Sequence, residues 1–203
     1  MSWIDELSTH PILAHLVDMA PGVVLAALIF LCVYPWRKRR LSNRNLQSAA
    51  VREVVLLLFW MFCGGIAAIT LTPRWFHWLS ALVYGLPGYP VFSVGTVNLI
   101  PFQTFIFDLQ YVILGNIVLF LPFGFFPTLL WRGFRWTRSL LLGVCVCVFI
   151  ECWQLLIGRA FDIDDLILNL LGVLCGYCLS LMIRRLFPRF SARLLVTSSD
   201  SYL

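Results

Sequence analysis

Residues 147–172 read CVFIECWQLLIGRAFDIDDLILNLLG, which is two apolar runs joined by a short polar stretch. We take six of its polar side chains as candidate ligand-binding residues. They are Glu151, Gln154, Arg159, Asp162, Asp165 and Asn169. A carboxylate at the depth of a bilayer costs roughly 2.5 kcal/mol or more, so such groups rarely face lipid. The stretch therefore predicts a membrane hairpin whose polar side chains point inward and mark a functional site.

The chain as a whole has the composition of a membrane protein. Of its 203 residues, 61% are hydrophobic and 12% are charged, and the mean hydropathy is +0.89. Soluble domains are about 45–50% apolar and about 25% charged. Both differences exclude an ordinary soluble domain. Because the sequence contains no Gly/Ser-rich or Pro-rich linker, a single membrane domain is the simplest interpretation.

Five apolar runs are long enough to cross a bilayer, and lipid forces such runs to be helical because it offers no partner to free backbone groups. They are 21–36, which extends toward residue 12 if Asp18 lies at the interface, 54–72, 111–131, 139–158 and 163–183. The predicted fold is an all-α polytopic transmembrane bundle of about five spans. We divide it into a two-span region, 1–72, and a core, 73–203. The core comprises an outer segment, 73–110, three spans within 111–183, and a basic tail, 184–203.

The basic residues predict the orientation. Thirteen of the 15 Lys and Arg residues fall on one side if the chain crosses five times. They are Arg37, Lys38, Arg39, Arg40, Arg44 and Arg52, then Arg132, Arg135 and Arg138, and finally Arg184, Arg185, Arg189 and Arg193. The positive-inside rule then places the N-terminus outside and the C-terminus inside. Since these residues form juxtamembrane clusters and not one domain face, we predict no nucleic-acid partner.

The outer segment, 73–110, is apolar although it connects two spans. Residues 74–84 predict a short helix in the interface, and Gly and Pro residues interrupt the chain at 85–90. The apolar loop that follows has little reason to stand in water. We predict that it folds back over the outer end of the bundle as a re-entrant or lid element, with Asn98, Pro101 and Phe102 as its residues.

Cysteine and histidine predict neither a metal site nor a cofactor. All seven cysteines lie within the predicted spans, and no histidine is near Cys175-x-x-Cys178 to complete a zinc site. Small residues at such positions are typical of helix packing. The chain also contains no H-E-x-x-H motif.

Polar residues on three spans lie at a similar predicted depth. With a rise of about 1.5 Å per residue, Asn116, Glu151 and Asn169 lie roughly 8 to 10 Å below the outer ends of their helices. Gln154 is one turn from Glu151 on the same helix face. These positions predict the floor of a polar pocket that opens outward.

Small residues continue the polar face of the last span. Asp162, Asp165 and Asn169 share one face, which Gly172 and Gly176 extend inward. Glycines at this spacing let another helix approach closely. The pocket is therefore predicted to close below Asn169.

The third span carries Pro122 and Gly124. Pro122 predicts a kink because it removes a backbone donor and crowds the preceding turn. We take both residues as helix-packing positions.

The residues at the pocket mouth leave several kinds of chemistry open. Arg159 could clamp a phosphate or carboxylate, or it could neutralise Asp162 or Asp165. The acidic side chains would also suit a divalent cation. Glu151 could instead carry a proton.

The same residues resemble the VanZ-like family of bacterial membrane proteins. The resemblance covers about residues 98–177 in four blocks. They are Asn98-Leu-Ile-Pro-Phe102, Asn116-Ile-Val-Leu-Phe-Leu-Pro-Phe-Gly124, Glu151 with Gln154, and Arg159-x-Phe-Asp162-Ile-Asp-Asp165-Leu-Ile-Leu-Asn169-Leu-Leu-Gly172. A serine that often stands four positions before the family's glutamate is Cys147 here. The resemblance implies a multi-pass protein of the bacterial plasma membrane. The founding member is associated with resistance to teicoplanin, a lipid-tailed glycopeptide that acts outside the membrane.

Three functions remain open on this basis. The first is a membrane protein that contacts membrane lipids and binds an amphipathic ligand at the outer leaflet, such as a lipid-linked cell-wall precursor or a lipoglycopeptide. The second is an intramembrane enzyme acting on a lipid head group, with Glu151 or Asp162 as acid and base, either alone or with a metal ion. The third is a proton-coupled transporter, against which the few polar residues in the inner half of the bundle count.

Overall fold

The computed structural model describes residues 11–71, 94–103 and 110–198, and that part of the chain forms helices joined by short strands. The helices are α1 (Pro11–Ser42), α2 (Ala50–Leu71), α3 (Gln110–Leu130), α4 (Trp136–Leu156), α5 (Ile163–Leu186) and α6 (Pro188–Arg193). The strands are β1 (Leu46–Gln47), β2 (Val97–Asn98), β3 (Phe161–Asp162) and β4 (Thr197–Ser198).

Five of the helices are long and apolar enough to cross a membrane. Their candidate spans are Asp18–Ser42, Ala50–Leu71, Val112–Leu130, Trp136–Leu156 and Ile163–Leu186. The predicted all-α, five-span bundle is therefore confirmed. α1 is longer than its apolar run, because it begins at Pro11 and continues through the basic residues to Ser42.

Glycines let the helices pack backbone against backbone. α5 packs most extensively against α3. A Cβ built on Gly172 would lie 2.3 Å from the carbonyl oxygen of Ile117, and one on Gly124 would lie 1.9 Å from that of Val173. α1 and α2 form a second close pair, in which a Cβ on Gly22 would lie 2.1 Å from the Gly64 oxygen.

Aromatic rings join α2 to α3. Phe59 and Phe62 of α2 both meet Phe123 of α3 edge to face, with ring centroids 6.1 and 5.9 Å apart. Cys147 of α4 and Val173 of α5 are fully buried in the same cluster. The α1–α2 pair is thereby attached to the trio α3–α4–α5 that carries the candidate site.

Each end of the bundle has a small sheet. At the end that we call the basic end, β1 pairs antiparallel with β4, so the basic residues near β1 lie at the same end as those that follow α5. Arg184 donates a hydrogen bond to the Thr128 carbonyl oxygen there, which brings in the α3–α4 turn. At the other end, which we call the hairpin end, β2 pairs parallel with β3 beside the α4–α5 turn. The three basic clusters thus share one end, while the N-out orientation stays a prediction.

Some sequence predictions concern features that the structure does not describe. The interfacial helix at 74–84 and the breaks at 85–90 lie outside the described residues. α3 continues through Pro122 and Pro127 as one helix, and the kink at Pro122 stays a prediction. The boundary between 1–72 and 73–203 also stays an interpretation.

Candidate functional site

The turn between α4 and α5 is built by local backbone hydrogen bonds. The Arg159 N–H donates to the Gln154 carbonyl oxygen at 2.9 Å. Gly158 adopts φ +80°, which glycine reaches without steric cost and which reverses the chain. Asp162 then caps α5, since its carboxylate accepts the Asp164 N–H at 2.9 Å.

Backbone contacts hold the segment 94–103 against this turn. In the β2–β3 pair, Asn98 lies opposite Asp162. The Gly95 N–H donates to the Leu155 carbonyl oxygen at 2.8 Å. A Cβ on Gly95 would lie 1.7 Å from the Arg159 carbonyl oxygen, so this approach requires glycine. Gly95 was not among the residues predicted for the site.

Two carboxylates of the hairpin also anchor the segment. Asn98 donates to Asp162 Oδ2 at 3.1 Å, and it donates to Gln103 Oε1 at 3.0 Å. The Phe102 N–H donates to Asp164 Oδ1 at 2.5 Å. Asp164 is 0% exposed and was not among the predicted site residues, although it lies between two that were. Phe102 has φ +69°, a backbone conformation that a side chain other than glycine rarely adopts.

Outward-facing side chains of the segment are mostly apolar. Five of them are more than half exposed: Val94, Val97, Leu99, Ile100 and Phe102. Pro101 is exposed as well. The polar groups of the segment therefore bond to the hairpin, while its apolar side chains face outward.

Polar side chains tie together the three helices below the turn. Asn116 of α3 donates to the carboxylate of Asp165 on α5. Asn169, one turn further along α5, donates to the Cys147 sulfur of α4 at 3.1 Å. Interhelical hydrogen bonds of this kind stabilise membrane bundles. Two of the three amides predicted for the pocket floor, Asn116 and Asn169, thus pair with a neighbouring helix.

Glu151 points into the bundle and not toward lipid. It is 2% exposed, and Asp165, Arg159 and Asp162 are its electrostatic neighbours. Its Oε2 has no hydrogen-bond partner among the described residues, and neither has Oδ1 of Asn169, which is 4% exposed. A buried acceptor without a donor costs about 1–3 kcal/mol. The described part of the chain therefore supplies no donor to either of these two acceptor oxygens.

We call Asn116, Glu151, Asp165 and Asn169 the polar cluster. It has an exposed cation at its upper edge. Arg159 is exposed, and within the described ranges its guanidinium forms no ion pair or hydrogen bond. Gln154, predicted for the floor, is buried one turn from Glu151. Glu151, Gln154 and Asn169 are buried below the turn, on which residues 94–103 lie, and the outward-opening pocket stays a prediction. No group of three or more His, Cys, Asp or Glu side chains in the described part of the chain is arranged to hold a metal ion.

The Cys147–Asn169 contact gives a direct prediction. Cys147→Ser should be tolerated, because a hydroxyl accepts the Asn169 N–H at least as well as sulfur does. Cys147→Val keeps the volume but removes the acceptor, and it should lower stability by about 1 kcal/mol. Thermal unfolding in detergent measures both effects. Cys145→Val, an exposed position on the same helix, is the matched control. Equal midpoints for Cys147→Val and the wild type would contradict a role for this contact.

The fold and the cluster define a class: a multi-pass helical membrane protein with buried polar groups at one end of its last three spans. The VanZ/LLP1 family model matches residues 22–184, and the chain belongs to this family. The resemblance drawn from the motif blocks is thereby confirmed. The match also takes in most of α1 and all of α2, where the sequence analysis found no motif. No curated protein and no solved structure matches the chain.

Proposed function

We propose that this VanZ-like membrane protein binds the head group of an amphipathic cell-envelope molecule at the hairpin end, in the outer leaflet of the plasma membrane. The ligand would be a lipid-linked cell-wall precursor or a lipoglycopeptide. By binding it, the protein would contribute to tolerance of teicoplanin-type glycopeptides. The founding member's association with teicoplanin resistance supports this choice of ligand class. The placement in the outer leaflet depends on the orientation that the basic clusters predict.

The observation that carries the proposal is the pair of buried acceptors below an unpaired cation. Glu151 Oε2 and Asn169 Oδ1 lack donors among the described residues. The Arg159 guanidinium at the mouth forms no ion pair or hydrogen bond with any described residue. A head group with hydroxyl, amide or ammonium donors would satisfy the acceptors. A phosphate or carboxylate on the same head group would pair with Arg159. Lipid-linked precursors and glycopeptides carry both kinds of group.

The segment 94–103 supplies an apolar surface for the tail of such a ligand. Leu99, Ile100 and Phe102 are exposed beside the mouth, where an acyl chain could lie against them. Asn98 and the Phe102 N–H hold the segment to Asp162 and Asp164. Because the floor is buried below it, the ligand enters only when this lid moves aside. The lid residues Asn98, Pro101 and Phe102 thus take a gating role in the proposal.

A tolerance assay with paired variants tests the proposal. The protein is expressed in a teicoplanin-susceptible bacterium, and growth inhibition is measured for teicoplanin and for a glycopeptide without a lipid tail. We expect tolerance of teicoplanin only. Glu151→Gln and Arg159→Ala should each abolish it, because each removes a charged group worth about 1.5–3 kcal/mol in hydrogen bonding. Asp165→Asn should act in the same direction.

The control separates loss of the site from loss of the protein. Asp18→Asn changes an exposed acid of α1 that is not part of the cluster and should leave tolerance unchanged. Membrane abundance is quantified for every variant. Unchanged tolerance in Glu151→Gln at normal abundance would refute the site. Equal protection against both glycopeptides would refute recognition of a lipid tail.

A further inference from the structure

A cavity lies at the basic end, at the opposite end of the bundle from the polar cluster. Its volume is about 690 Å³, within the range of about 300–1,000 Å³ that is common for ligand pockets. α1, α2 and the α3–α4 turn form its walls, together with Leu195 and Val196 after α6. A smaller cavity of about 360 Å³ adjoins it and shares Tyr34 and Arg37 with it.

The larger cavity has a cationic rim and an apolar wall. Four arginines line the rim: Arg37, Arg44, Arg52 and Arg132. The apolar wall includes Phe30, Leu56, Trp60 and Leu130. Phe30 precedes Arg37 by seven residues and Trp60 follows Arg52 by eight, so both lie two helical turns deeper in the bundle. Their rings meet edge to face at 6.2 Å. The cavity therefore leads from a charged surface toward the hydrocarbon.

Arg52 is the unusual member of this rim. It is 6% exposed, and its Nε has no hydrogen-bond partner among the described residues. Its nearest polar contacts are weak, since Nη1 lies 3.4 Å from Ser48 Oγ and 4.0 Å from a Glu53 oxygen. Burying a guanidinium with so little compensation is costly. An anion in the cavity would remove that cost.

The described chain does not supply this anion. Glu53 is the single carboxylate among the described residues that line either cavity. Both of its oxygens are already engaged, because Arg37 pairs with one and Ser48 donates to the other. The remaining arginines therefore leave an excess of positive charge around the larger cavity.

We propose that this cavity binds the phosphate head group of an anionic membrane lipid, with an acyl chain along Phe30, Leu56 and Trp60. Arginine forks match the oxygens of a phosphate, and basic pockets between membrane helices attract anionic lipids. The apolar wall distinguishes a lipid from a soluble phosphate ester, which would leave that wall uncovered. β4, which pairs with β1, places Leu195 and Val196 against the bound lipid. This site is independent of the ligand proposed for the hairpin end.

Lipid titration of the full-length protein tests the proposal. The protein is reconstituted in phosphatidylcholine nanodiscs, phosphatidylglycerol is titrated in, and retained lipid is counted by native mass spectrometry. We expect a single tightly held phosphatidylglycerol on the wild type. Arg52→Lys, which keeps the charge but loses the fork, and Arg132→Gln should each weaken its binding by about tenfold. Arg135→Gln makes the same charge change in the same exposed turn but lines neither cavity, so binding should stay within about twofold of wild type.

A second arm separates the lipid from its head group. Soluble glycerol phosphate is added to phosphatidylcholine discs, and the thermal midpoint is compared with that in phosphatidylglycerol discs. A larger shift with the lipid supports the proposal. An equal shift with glycerol phosphate overturns the lipid assignment and leaves a soluble phosphate site. Equal lipid retention by Arg52→Lys, Arg132→Gln and the wild type overturns the cavity as the binding site, because charge alone would then attract the lipid.

Discussion

Replacing Gly176 with leucine is expected to destabilise the bundle by about 3 kcal/mol, because α3 leaves no space for a side chain there. A Cβ at this position would lie 1.9 Å from the Leu121 carbonyl oxygen and 3.0 Å from the Phe125 nitrogen. Both are backbone atoms that cannot rotate away, so α3 and α5 must move apart. Their separation would also weaken the Asn116–Asp165 contact at the hairpin end.

Unfolding of the protein in mild detergent, induced by heat or by a denaturing detergent, measures this loss of stability. Gly115→Leu is the matched control, because a Cβ on Gly115 meets nothing within 4 Å. That variant should stay within about 1 kcal/mol of the wild type, since replacing a helical glycine also lowers the entropy lost on folding. If Gly176→Leu unfolds at the same midpoint as Gly115→Leu, the close approach of α3 and α5 is wrong.

The five spans could be predicted because the backbone of an apolar run in a bilayer must satisfy its own hydrogen bonds. An apolar run of about 20 residues has no water to bond its N–H and C=O groups and must form a helix. The helix ends were less predictable. α1 continues for several residues beyond Trp36, since Arg and Lys are good helix formers and hydropathy ends where the hydrocarbon does.

Helix partners could be predicted only in part. The spacing of Gly172 and Gly176 indicated a close approach, but it did not indicate which helix approaches. In the structure that helix is α3, whose carbonyl oxygens at Ile117 and Leu121 lie against the two glycines. A small-residue face specifies a surface on one helix, while the choice of partner depends on the packing of all five.

Depth along the helices could be estimated from the sequence, but hydrogen-bond partners could not. Helical rise placed Asn116, Glu151 and Asn169 at one depth, but rise says nothing of rotation about the helix axis. Asn116 instead pairs with Asp165, and Asn169 pairs with Cys147. The sequence interpretation thus identified the helices that meet without identifying the pairs.

Asp164 was missed for a different reason. Its partner is the Phe102 N–H, a backbone group 62 residues earlier in the chain. Backbone donors carry no sequence signature, so the residue looked like one more acid near the membrane surface. Gly95 was missed for the same reason, because its neighbour is the Arg159 carbonyl oxygen. Contacts between a loop and a distant backbone become visible only once the fold is known.

Replacing Asp164 with alanine is expected to release the lid while the bundle stays folded. The Phe102 N–H then loses a charged acceptor at 2.5 Å, and such a bond contributes about 1.5–3 kcal/mol. Amide hydrogen exchange in nanodiscs measures the release. Residues 94–103 should exchange roughly 10- to 100-fold faster, which corresponds to that free energy, while α3 and α5 keep their protection.

Two further variants decide whether this effect belongs to the anchoring bond. Asp164→Asn keeps an oxygen acceptor without the charge, so exchange of the lid should rise less than in Asp164→Ala. Asp18→Ala removes an exposed acid elsewhere and should change nothing in the lid. If all three variants exchange like the wild type, residues 94–103 are held by their other contacts, which include the Asn98–Asp162 and Gly95–Leu155 hydrogen bonds, and Asp164 has no part in anchoring them. If α5 also loses protection in Asp164→Ala, the buried carboxylate supports the helix and not the lid, because loss of an anchoring bond alone would leave the spans intact.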